Sequence, residues 1–168
     1  MLEAVVLVAC PVFFALGAMS DLVSYKIPNW IPAALAGLFV LAAILGGLPL
    51  ATIGWHLAVC LCALVFGMTL FGFGLIGGGD AKLFAAGALW MGPLYILKYC
   101  IYFAMVGGAF AIMLLVLRRA PLPASASRIG FLNQLLQPKA GIPYGVALGI
   151  GAMIVLPKTP LFVLALAA

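Results

Sequence analysis

Ile76-Gly77-Gly78-Gly79-Asp80-Ala81-Lys82-Leu83-Phe84-Ala85-Ala86-Gly87-Ala88-Leu89-Trp90-Met91-Gly92 puts an acid and a base together between two long greasy segments. Residues 53–76 before it are almost wholly apolar, and so are residues 83–91 after it. A carboxylate that close to hydrocarbon is expensive and is usually retained for function. The chain has only three acids, Glu3, Asp21 and Asp80. Asp21 stands in a similar setting, at the end of the first apolar run. Two lone aspartates at the margins of apolar segments are the main clue.

Composition says which solvent those segments face. Of 168 residues 68% are hydrophobic and 7% charged, and the mean hydropathy is +1.37. No soluble domain of this size could cover so much apolar surface with so few charges. Only helices and closed barrels cross a bilayer, and continuous rather than alternating apolar runs select helices. The expected fold is therefore all-α: a polytopic membrane bundle of about six helices, forming one domain over residues 1–168. The net charge of +5 does not indicate nucleic acid, because no basic cluster is interleaved with stacking aromatics. Cys10, Cys60, Cys62 and Cys100 lie inside apolar runs without a C-x-x-C pair and read as packing residues. His56, near an expected membrane boundary, has no partner histidine, so no metal and no cofactor are expected. The N-terminal run has no basic n-region and ends in Ser20-Asp21, so it reads as a retained span rather than a cleaved signal.

A span needs about 20 mostly apolar residues. The expected spans cover 4–20, 30–45, 53–76, a shorter 80–90 closed by Gly92-Pro93, 99–117, and 142–156. Pro157 and Pro160 interrupt the last, leaving open whether 161–168 continues it. Pro28 suits the first turn of the second helix. In the polar stretch 118–141, Ile129, Leu132, Leu135 and Leu136 fall on one helical face and predict a short interfacial helix. With six spans and both ends outside, Lys26, Lys82, Arg118, Arg119, Arg128 and Lys139 face the cytoplasm, and only Lys98 and Lys158 do not. That is the charge bias that orients membrane proteins. It also places Asp21 and Asp80 at the cytoplasmic face.

Two carboxylates held close share one proton, because neighbouring like charges do not both ionise cheaply. One then activates a water while the other polarises a scissile carbonyl. Spacing alone does not bring Asp21 and Asp80 together. Glycines at 77 and 79 permit positive φ and close approach of another backbone, which serves either an extended substrate or tight helix packing. Lys82 either tunes Asp80, attracts an anionic group, or snorkels to the interface. Lys26 reads as an interfacial anchor.

Gly77-Gly78-Gly79-Asp80 is a G-x-G-D motif, and Gly79 to Met91 resembles the G-D-x-K-L-x-A-A stretch of type IV prepilin peptidases. Asp21 followed by Ile27-Pro28-Asn29 resembles the family's first aspartate motif, D-x5-I-P-N. Ile142-Pro143-Tyr144-Gly145 is similar to the segment opening its last span. The resemblance implies an intramembrane aspartic endopeptidase in the bacterial inner membrane, its active site facing the cytoplasm. Its substrates would be prepilins or pseudopilins, cut behind a short basic leader. It implies Asp21 and Asp80 as the catalytic pair, with Lys26, Ile27, Pro28, Asn29, Gly77, Gly79 and Lys82 binding substrate or supporting the site. The chain lacks the cysteine-paired cytoplasmic region of the larger N-methylating members and resembles the short type associated with Flp tight-adherence pili, so methyltransferase activity is not expected. A proton-coupled transporter and a noncatalytic pilus assembly factor are the alternatives. The first would scatter polar groups through several spans, which are nearly bare of them here.

Overall fold

The computed structural model describes residues 1–119, 133, 135–137 and 140–167. A π-helical turn, Ala4–Ala9, runs into α1 (Cys10–Ser24). Next come α2 (Trp30–Leu45), α3 (Leu50–Gly72), α4 (Gly78–Leu117), α5 (Tyr144–Val155) and α6 (Pro160–Ala167). The all-α membrane bundle expected from composition is what forms. Among the described residues, three stretches are long and apolar enough to cross a bilayer: Ala4–Ser24, Leu50–Gly72 and Gly78–Leu117. Trp30–Leu45 is apolar but shorter, and α5 and α6 are bent by 57° across Leu156–Thr159. The open question at Pro157 and Pro160 thus resolves as a bend rather than a straight continuation.

α4 is one element by hydrogen bonding but two limbs in space. Gly92 adopts φ 60°, ψ −172°, a conformation that costs a Cβ-bearing residue heavily. Pro93 follows and cannot donate to the turn before it. The chain reverses there: Phe84 stacks on Tyr99 with ring centroids 6.0 Å apart and meets Phe103 edge-on at 5.5 Å. The limbs, residues 78–91 and 93–117, form an antiparallel hairpin. The expected short fourth span and the fifth are these two limbs, the second starting at Pro93 rather than near residue 99. α3 likewise sits earlier than expected, beginning at Leu50 and ending at Gly72.

Lipid tails are as apolar as leucine, so helices in a bilayer associate through close packing of small residues. The first limb of α4 is the packing centre for that reason. Ala85 and Ala88 lie against Ala63 of α3, and Leu83, Ala86, Leu89 and Trp90 fill the main core with α1, α2 and α5. Buried Trp90 donates its indole N–H to the Leu35 carbonyl at 2.9 Å, and Tyr99 donates to Leu148 O at 3.3 Å. Exposed Val8, Val12, Leu61, Val65, Phe66, Leu97, Ile112 and Val116 coat the outside, as lipid contact requires. Of the cysteines, Cys10 is buried, Cys60 and Cys100 are half-buried, and all are free; Cys62 is exposed rather than a packing residue.

Successive helical runs alternate in direction. The end of α1, the start of α2, the start of α4, Arg118 and the start of α5 therefore meet at one end of the bundle. The α2–α3 turn, the α4 hairpin tip and the α5–α6 bend meet at the other. Of the cations expected on the aspartate side, Lys26, Lys82, Arg118 and Arg119 belong to that end, while Lys98 and Lys158 belong to the tip end. Arg128, Lys139 and most of the expected interfacial helix lie outside the described residues; its Leu135 and Leu136 are buried against Leu114.

Candidate active site

Asp21 occupies the last turn of α1, which Tyr25 closes in the left-handed conformation (φ 54°), its N–H bonded to Asp21 O at 2.8 Å. Such a stop turns the chain sharply into Lys26-Ile27-Pro28-Asn29. Ser20 and Ser24 fasten this turn through their hydroxyls, Ser20 donating to the Lys26 carbonyl and Ser24 to the Ser20 carbonyl, both at 2.7 Å. Asp80 occupies the first turn of α4, where its Oδ2 accepts the Gly77 N–H at 3.3 Å. A carboxylate at this position satisfies a helix-start donor and suits the positive end of the helix dipole.

The structure brings the two acids to one cavity of about 450 Å³, lined by Asp21, Tyr25, Lys26, Ile27, Pro28, Asn29, Gly77, Gly78, Gly79 and Asp80. All sequence-selected residues except Lys82 line it. Asp21 is 4% exposed, and its Oδ2 accepts the Gly145 N–H at 2.6 Å. That donor offsets both burial and the unfavourable helix C-terminus. Asp80 keeps one oxygen, Oδ1, buried with no hydrogen-bond partner among the described residues. Buried polar atoms are rarely left so. A second, smaller cleft of about 100 Å³ reaches Asp80 from the other side. Its remaining lining is Phe66, Gly67, Leu70, Ile76, Phe84, Phe103, Tyr144 and Leu148, which is almost entirely apolar.

The supporting residues make their contacts within the protein itself. The glycine triplet does not use positive φ; the glycines that do are Gly47, Gly74 and Gly92. Its purpose is close approach, and the backbone that approaches is the protein's own. A Cβ on Gly79 would sit 3.0 Å from Ile27 Cβ and 3.2 Å from its carbonyl oxygen. Ile27 is buried between the second aspartate segment at Gly79 and the start of α5, where a Cβ on Gly145 would meet its Cδ1 at 2.8 Å. Lys82 does not face Asp80: it donates to Asn29 Oδ1 at 2.8 Å. This bond ties the first aspartate segment to the second and leaves Asn29 making no side-chain cap on α2. α2 itself starts at Trp30, two residues beyond Pro28, whose carbonyl accepts the Ile31 N–H.

Three contributors escape a reading by motif. Gly145 supplies the amide that holds Asp21. Arg118, read only as a topology charge, donates to Leu135 O at 2.9 Å and to Gly141 O at 2.8 Å, anchoring the segment that leads to Gly145. Tyr25 lines the cavity; burial pushes its phenol above the usual range, the neighbouring Arg118 guanidinium opposing only in part, so it stays a proton-bearing donor. The segment Ile142 to Gly145 was a visible signal for the first of these, but its partner lies 124 positions away. Among the described residues, no group of three His, Cys, Asp or Glu side chains is placed to hold a metal ion.

A family model described as the type IV leader peptidase family matches residues 8–117, which include both aspartates. No curated protein sequence and no solved structure matches the chain. The matched region is more than half of the chain and contains both acidic segments, so this integral membrane protein belongs to the type IV leader peptidase family, which implies peptidase activity on prepilin-type substrates.

Proposed function

We propose that Asp21 and Asp80 are the catalytic pair of an intramembrane aspartic endopeptidase. It removes the basic leader of Flp-type prepilins or pseudopilins at the cytoplasmic face of the bacterial inner membrane. The observation that carries this reading is that two acids far apart in sequence open on one cavity, one of them with a buried oxygen lacking a partner. The pair carries one proton between its members. The ionised carboxylate takes a proton from water as its oxygen bonds to the scissile carbonyl carbon, and the protonated one gives its proton to the carbonyl oxygen. Collapse of the tetrahedral diol returns that proton and delivers the other to the departing amine. Atoms balance without a metal or a covalent enzyme intermediate.

The cavities on either side of Asp80 support the substrate assignment. A leader peptide is polar and the segment behind its cut is apolar, and Asp80 separates a polar chamber from an apolar cleft. In this reading Phe84, Phe103 and Leu148 receive the first apolar side chain after the cut, while Lys26, Pro28 and Asn29 border the leader. Transport is a poorer reading, since Asp21, His56 and Thr159 are the buried polar side chains among the described residues. No methyl-transfer role is proposed. The test is co-expression with candidate Flp prepilins, scored by the size shift on leader removal. Cleavage that depends on both acids supports the proposal, and unchanged cleavage by Asp80→Asn overturns it.

A further inference from the structure

The bundle has a second large cavity, of about 470 Å³, at the tip end. It exists because the first limb of α4 is short. Residues 78–91 span about 21 Å at 1.5 Å per residue, less than the roughly 30 Å of a hydrocarbon core. α3, with 23 residues, runs on past the hairpin tip. The space left under the tip is walled by Pro49, Trp55, Met91, Pro93, Leu94, Tyr95, Leu161 and Leu164. Its volume falls within the range of sites that hold small ligands. Exposed Trp55, Leu94 and Leu164 stand at its mouth, so it opens sideways towards lipid.

Next to the lining, though not part of it, stand the two cations that depart from the charge bias. Lys158 adjoins Thr159 and Pro160 of the lining, and its ammonium lies 5.4 Å from the centre of the Tyr102 ring. Lys98 lies 5.1 Å from the ring centre of Tyr95, itself part of the lining. Tyr95, Lys98 and Tyr102 form one stripe on the helix at i, i+3 and i+7. Both lysines are exposed, and no acid neighbours them in the lining.

We propose that this cavity is a binding site for an anionic phospholipid of the leaflet opposite the aspartates. One acyl chain fills the space under the hairpin tip, and the phosphate sits between Lys98 and Lys158. The two cations supply the charge complement that basic sites between spanning helices use for acidic headgroups. Trp55 and Tyr95 hold the mouth at headgroup level, as interfacial aromatics do.

The full-length protein in zwitterionic detergent is titrated with phosphatidylglycerol carrying brominated acyl chains, and separately with the matching phosphatidylcholine. Quenching of tryptophan emission is read in a Trp30→Phe background, which removes the exposed indole at the aspartate end. Phosphatidylglycerol should half-saturate the quench at roughly tenfold lower mole fraction than phosphatidylcholine. Lys98→Gln/Lys158→Gln should bring that ratio to about one, and either single variant should fall between. Thr52→Trp, which puts an indole into the cavity, should weaken both lipids. Equal midpoints for the two lipids in the parent protein overturn the proposal, as does an undiminished preference in the double variant. Prepilin cleavage is not the readout, so failure here leaves the peptidase reading intact.

Discussion

The two ends of the bundle hold cavities of nearly equal size, about 450 and 470 Å³, yet they treat buried polar groups in opposite ways. At the tip end, His56 and Thr159 each meet a carbonyl whose α-helical donor a proline has removed. Pro93 removes the N–H that would bond Leu89 O, and His56 Nδ1 lies 2.7 Å from that oxygen; facing a carbonyl, this nitrogen must carry the hydrogen. Pro160 likewise removes the α-helical donor to Leu156 O, which accepts the Thr159 N–H at 3.0 Å and the Thr159 hydroxyl at 2.7 Å. These groups are spent on structure. At the aspartate end Asp80 Oδ1 remains buried without a partner among the described residues. The contrast between the ends is therefore a buried carboxylate oxygen left without a donor at one and buried polar groups tied to backbone carbonyls at the other.

The comparison is broken most directly at the acids. Asp21→Asn and Asp80→Asn should each lower leader cleavage by roughly 10²–10⁴-fold while the protein still inserts and purifies normally. Because the two act as one unit, the double variant should lose little more than either single one. Additive losses in a single-turnover assay would separate the acids into independent roles.

Gly145→Ala comes next. Its Cβ would lie 2.8 Å from Asp21 Cβ and 2.9 Å from Oδ2, so Asp21 or the start of α5 must shift. Small misplacement of a reacting group costs roughly 10²-fold, and the loss should fall on kcat rather than KM. Lys82→Met should cost less, roughly threefold to tenfold, since it removes one partly exposed charged hydrogen bond to Asn29. A pH profile sharpens the same point. With one proton shared by the pair, activity must fall in acid, when both carboxyls are protonated, and in base, when both are ionised. A flat profile with chemistry rate-limiting would exclude a shared proton.

How much of this was legible beforehand follows from sequence separation. Apolar runs, G-x-G-D and D-x5-I-P-N are local, so the helical membrane fold and the two acids were readable from residues alone. The Gly92-Pro93 break was visible as an end but not as a reversal, because Gly-Pro marks a stop without saying where the chain goes next. Lys82 was misdirected for a similar reason: its neighbour in sequence is Asp80, but its partner is Asn29. Ile27 reads as one apolar residue in a motif until two glycine-bearing helix starts close on it. His56 looked like a lone boundary histidine because nothing local ties it to a proline in another helix.

That histidine gives the smallest expected effect on cleavage and the cleanest contrast between the ends. His56→Leu keeps most of the volume stacked on Phe39, whose ring centroid lies 5.2 Å away, but leaves Leu89 O without a donor. A buried carbonyl stripped of its partner costs about 1–3 kcal/mol, so the midpoint of detergent-induced unfolding should fall measurably. Because the hairpin tip is separated from Asp80 by the length of a fourteen-residue limb, kcat/KM measured well below that midpoint should stay within about twofold of the parent value. The dyad variants should show the converse, with cleavage lost and the midpoint nearly unchanged. If His56→Leu instead abolished cleavage at full stability, the buried polar group at the tip would not be merely structural, and the division between the two ends would have to be redrawn.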